Sequence, residues 1–113
     1  DAIKMPKAGS MNSNASLVSF AKENVSKTIG KDGAKLLKLN IESNDWSIVK
    51  NKYTGRILYR WIKGAFTEIN KNNDCYLQGF LIKQQYNGSG YGSSQFGGVI
   101  HGQMPYGQKM NCE

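Results

Sequence analysis

A single histidine, His101, limits the acid–base chemistry open to this 113-residue chain. One imidazole excludes a multi-histidine metal centre and any catalytic device that needs two. It leaves general acid–base work with a carboxylate partner. Glu68, a cation (Lys83 or Arg60) and His101 fall on three consecutive predicted strands in that order. In such a site Glu68 would take a proton from a substrate hydroxyl and His101 would protonate the leaving oxygen. The cation would hold the phosphate between them. The plainer reading of His101 is an ordinary surface or half-buried imidazole.

The other residues with the chemistry to meet a partner lie in two loops. Residues 87–95 (NGSGYGSSQ) contain the run Gly-Ser-Gly-Tyr-Gly. A phosphate-cradling glycine loop would need a helix N-terminus behind it, whereas strands are predicted on both sides here. The loop therefore reads as a flexible hairpin tip on a rigid sheet, with Tyr86, Asn87, Tyr91 and Phe96 as contact side chains. Pro105 and Tyr106, in the turn over 104–107, form a second candidate contact patch. Trp46, Trp61, Tyr59 and Phe66 read as packing residues.

These groups need elements to position them. Residues 1–13, with Pro6 and Gly9, predict an extended lead-in. A helix of about four turns follows, capped by Ser13 or Asn14. Its apolar stripe is Leu17, Val18, Ala21, Val25, Thr28 and Ile29. Gly30 and Gly33 stop the helix or break it before a second turn at 34–38. The period then changes to two. Strands are predicted over 46–51, 56–69, 75–86 and 96–102, joined by turns at 52–55 and 70–74. In the second strand Ile57, Tyr59 and Trp61 share one face while Leu58, Arg60 and Ile62 share the other, and Gly64 suggests a bulge or bend. The expected fold is one α+β domain over 1–113, an N-terminal helix packed on a four-stranded antiparallel meander. Cystatin-like and nuclear-transport-factor-like domains and small microbial ribonucleases share that architecture.

Composition sets the class. Hydrophobic residues are 39% and charged residues 20% of the chain, close to the soluble globular average, so disorder is not indicated. No apolar run approaches the about 20 residues of a membrane-spanning helix. The net charge of +7 allows RNA, another polyanion or an acidic protein as partner. The cations are spread along the chain, and all except Arg56 and Arg60 are Lys, which favours solubility over phosphate reading. Two cysteines are too few for a zinc site, and neither a metal nor another cofactor is expected. A Cys75–Cys112 disulfide would contribute roughly 3–4 kcal/mol by loop closure and would hold the tail in place. With Asp1 rather than Met at the start, it predicts a processed, secreted or periplasmic monomer.

The run Gly98-Val99-Ile100-His101 with Cys112 beyond it resembles the ending of secreted fungal guanyl-type ribonucleases. In them a catalytic His on a late strand precedes a disulfide-bonded Cys near the terminus. The resemblance implies Glu68, Lys83 and His101 as catalytic residues of a ribonuclease-like toxin, or of a decayed effector that keeps the fold. The second histidine and the N-terminal Cys of that family have no counterpart here, and Lys83 cannot offer the planar fork of its Arg. The reading favoured from sequence is a non-enzymatic recognition domain that binds a protein through loop 87–95 and the C-terminal turn.

Overall fold

The structure, a computed structural model, describes residues 4–100 and 106–112. Asn14 starts the helix: its side-chain oxygen accepts the Leu17 N–H at 3.2 Å, satisfying one of the orphan donors of the first turn. Helix α1 (Ala15–Gly30) buries Leu17, Ala21, Val25 and Ile29, one face of a 3.6-residue period. A short 3₁₀ turn (Ser10–Ser13) precedes it, where the sequence predicts only extended chain. That turn is tied to the sheet, because Asn12 Oδ1 accepts the Ile41 N–H and the Gly9 N–H donates to the Ile41 carbonyl.

The second helical turn expected at 34–38 does not form. The chain leaves α1 through Gly33, whose φ of 81° only glycine adopts cheaply, and enters a strand. That strand, β1 (Lys35–Ile41), buries Leu39 and Ile41 at period two and pairs antiparallel with β3. Pairing with a long neighbour has overridden a weak local preference. Strands β2 (Ser47–Lys50), β3 (Ile57–Ile69), β4 (Cys75–Gln85) and β5 (Gln95–Ile100) follow, close to the expected boundaries, and β6 (Gln108–Met110) ends the series. Among the described residues the sheet is open and antiparallel, with six strands rather than the four expected.

Its spine is the β3–β4 hairpin, in unbroken register from Tyr59 opposite Gln85 to Ile69 opposite Cys75. β1 and β2 pair end to end along the outer side of β3, and β5 and β6 along the outer side of β4. α1 lies on the face carrying Leu39, Ile41, Ile62, Phe66, Phe80 and Ile82, and these residues form the main core. No helix among the described residues is long and apolar enough to cross a membrane.

The opposite face has a smaller cluster of Ala65, Leu77 and Tyr106, with Met5, Ile100 and Met110 against it. Cys75 and Cys112 are joined, with Cα atoms 5.4 Å apart. The Gly107 N–H donates to the Leu77 carbonyl, so the returning tail is fastened beside β4.

Gly64 is not a bulge. It sits in register opposite Phe80, and a Cβ there would lie 2.4 Å from both the Phe80 ring and the Asn40 carbonyl oxygen. The Phe80 ring, tilted against Phe66 with centroids 6.3 Å apart, occupies the space a side chain would need. Gly64→Ala is therefore expected to destabilise the fold by about 2–3 kcal/mol through overpacking. Urea unfolding should read this as a lower midpoint at unchanged slope.

Candidate functional site

Beyond the start of α1, the helix-side face of the β3–β4 hairpin continues uncovered. Strand alternation puts Leu58 and Arg60 of β3 on this face with Gln84 of β4 and Tyr86 just after it. Arg60 is directly opposite Gln84. Its Nε and Nη2 both donate to Gln84 Oε1, at 2.9 and 2.6 Å. This fixes the Gln84 amide the other way round, so that its nitrogen donates to Ser94 Oγ at 3.1 Å. The guanidinium carbon lies 4.2 Å from the centre of the Trp46 ring and 3.9 Å from that of Tyr91. Cation–π attraction and a forked hydrogen bond thus hold one side chain in one place.

The loop that delivers Tyr91 is more ordered than a flexible tip. Asn87 Oδ1 accepts the N–H groups of Ser89 and Gly90, and Asn87 N–H donates to the Gly90 carbonyl. Gly88 takes φ 100°, and Gly92 N–H returns to the Gln85 carbonyl. Tyr91 consequently comes back opposite Tyr86, the rings edge to face at 5.0 Å. The neighbouring β2–β3 turn is closed by Asn51 Oδ1, which accepts from Tyr53 and Thr54, with Gly55 at φ 74°. Between the two turns runs an open groove of about 680 Å³, with Arg56, Leu58, Tyr86 and Asn87 in its walls. A second cleft, of about 450 Å³, lies between the α1 start and the strand ends. Trp46, Arg60, Gln84, Ser16, Ser93 and Ser94 face it.

Charge and exposure single out this end of the molecule. The sequence has no Asp or Glu over 46–67 or over 75–112, whereas Lys50, Lys52, Arg56, Arg60 and Lys83 all belong to this end. The ion pairs among the described residues, Lys27–Glu23 and Lys109–Asp74, lie on the helix and at the far end of β4. The described large hydrophobics that stay exposed are Tyr53 (86%), Ile48 (52%), Leu58 (42%) and Leu37, and only Leu37 is elsewhere. Five of the fifteen cations of the sequence belong to this end, Lys83 on the opposite face of the sheet. The signal that could have located them is the absence of acidic residues around them.

The three candidate catalytic residues do not form one site among the described residues. Glu68 lies at the far end of β3, opposite Tyr76, and accepts from Gln78 Nε2 at 3.0 Å. Lys83 is opposite Trp61 on the other face of the sheet, its Nζ 4.4 Å over the Tyr59 ring. Arg60 shares the face of Glu68 but stands about 26 Å away along the strand at 3.3 Å per residue. His101, the third candidate, lies outside the described residues, as does Pro105.

Of the proposed contact residues, Tyr86, Asn87 and Tyr91 belong to the uncovered end. Phe96 does not: it packs against the α1 core. Nor does Tyr106, which is buried. A Cβ on Gly79 would lie 3.1 Å from its ring, which explains why β4 has glycine there. Its hydroxyl donates to the Glu42 carboxylate. Tyr106 is an anchor for the tail rather than a contact side chain. Among the described residues no three His, Cys, Asp or Glu side chains converge to hold a metal ion.

No family model matches the chain, and no curated protein or solved structure is significantly similar to it. The geometry alone therefore carries the functional argument.

Burial, reinforced by the hydrogen bond and the charge of Glu42, raises the Tyr106 hydroxyl well above the ordinary tyrosine value of 10.0. Its folded-state pKa thus exceeds its unfolded one. The stability it contributes is whole below pH 10 and is lost as the pH climbs above that value. Urea midpoints measured across pH 9 to 11 should fall less steeply in Tyr106→Phe than in the unmodified protein. Equal slopes would count against this anchor.

Proposed function

We propose that this chain is a secreted or periplasmic, non-enzymatic recognition domain whose uncovered sheet end binds an acidic protein surface. The observation that carries this reading is the company kept at that end. Trp46, Arg60 and Tyr91 stack together beside the exposed Ile48, Tyr53 and Leu58, and the acid nearest to them in sequence, Asp45, accepts the Trp46 N–H at 2.8 Å. Tryptophan, tyrosine and arginine dominate the binding energy of protein interfaces, and apolar side chains left in water gain by being covered. Lys50, Lys52 and Arg56 at the rim would steer an acidic partner and disfavour a basic one. Loop 87–95 contributes through Tyr91 and its tight turn, which stands beside the 51–56 turn. The Cys75–Cys112 disulfide supports an extracytoplasmic setting.

The test is a charge-matched pair of double variants. Lys52→Glu with Arg56→Glu should weaken capture of the acidic partner at least tenfold, about 1.4 kcal/mol. Lys22→Glu with Lys27→Glu, on the exposed side of α1, should change it less than twofold. Far-UV spectra of both should match the unmodified protein. Equal losses in the two pairs would reduce the effect to net charge and overturn the site. RNA cleavage abolished by Glu68→Gln would replace the reading with an enzymatic one. Tight RNA binding without cleavage, falling linearly with the logarithm of salt concentration, would replace it with a nucleic-acid module.

A further inference from the structure

We infer that Arg60 is a preorganised carboxylate anchor, which takes one Asp or Glu side chain of the acidic partner into the cleft beside the start of α1. The inference rests on the recognition reading and deepens it by naming the group received. Arginine carries five N–H donors, and Arg60 uses two of them on Gln84. The remaining three, two on Nη1 and one on Nη2, include an adjacent Nη1/Nη2 pair suited to a two-oxygen acceptor. No carboxylate among the described residues pairs with this guanidinium.

The identity of residue 84 matters here. A glutamate in that place would give the same fork and cancel the charge. Glutamine orients the guanidinium and leaves its full positive charge for something else. Trp46 and Tyr91 pack against the guanidinium, and its remaining N–H groups lie in the guanidinium plane, so an acceptor has to meet them along that plane. A flat carboxylate meets that condition. Ser16 and Ser93 line the same cleft, and a serine hydroxyl there can take part in holding the second oxygen. Because the side chain is already stacked and hydrogen-bonded, little rotamer entropy remains to be lost on binding.

The experiment follows the Arg60 Nε–H and Trp46 indole N–H resonances of ¹⁵N-labelled protein titrated with a hexaglutamate peptide or with inorganic phosphate. Both resonances should shift saturably with hexaglutamate, and phosphate should bind at least tenfold more weakly. Arg60→Gln should lower hexaglutamate affinity at least tenfold, and Arg60→Lys should not restore it, since an ammonium offers neither fork nor stacking. If Arg60→Gln fails to fold, Gln84→Glu answers the same question. It keeps the size and the fork, supplies an internal carboxylate, and should also cost at least tenfold. Unchanged affinity in folded Gln84→Glu would overturn the anchor, and so would phosphate binding as tightly as the peptide. Either result leaves the recognition reading standing, because the Lys52 and Arg56 pair tests that separately.

Discussion

The unbroken register of β3 against β4 decides which side chains of this protein can meet. Strand side chains alternate strictly, so a pairing that holds from Tyr59 to Ile69 without a slip sorts every residue of the hairpin to one face. Ile62, Phe66, Phe80 and Ile82 go under the helix, and Ala65 and Leu77 go under the returning tail. Arg60 and Gln84 come opposite one another at the uncovered end by the same rule. One residue of slip would put the arginine with Lys83 and bury the lysine-bearing face under α1. The absence of a side chain at Gly64 protects the register, because the Phe80 ring needs the room.

The helix covers only part of this hairpin. Its sixteen residues, rising about 1.5 Å each, make about 24 Å of helix, whereas thirteen residues of β3 at 3.3 Å run to about 43 Å. The surplus length of sheet has to be finished in some other way. At the far end Glu68, Gln78 and the 70–74 turn provide polar closure. At the near end the chain provides stacked aromatics around a cation, an arrangement that tolerates water on one side and offers apolar area on the other.

Much of this was legible in the sequence. The α1 stripe, the long strands and the two faces of β3 follow from period 3.6 and period two, read directly from residue types. Cys75 and Cys112 pair as their number and context suggest. Strand β1 was hidden because Lys35, Leu37 and Lys38 break the alternation, and a register shift between Leu36 and Lys38 spoils the pattern further. The role of Gly64 is hidden for a different reason, since a glycine needed for a bulge and one needed for an aromatic neighbour look the same in one dimension. Nothing local in the sequence shows that Gly79 receives Tyr106 or that the α1 core receives Phe96. The Arg60 cluster depends on Trp46, Gln84, Tyr91 and Ser94, which come from three separate stretches and meet only through the register and the loop turn.

The outer lanes of the sheet are each built from two short pieces. Beside β3 the pairing passes from β1 to β2 across residues 42–46, and beside β4 it passes between β5 and the three residues of β6. β5 also carries an irregularity near Gly98, which has φ 101°. Among the described residues, a rim interrupted in this way offers no long, straight row of free backbone donors and acceptors for a foreign strand to copy. The central hairpin can therefore be long and flat-faced enough to display a binding end, while the margins of the sheet resist growing into a fibre.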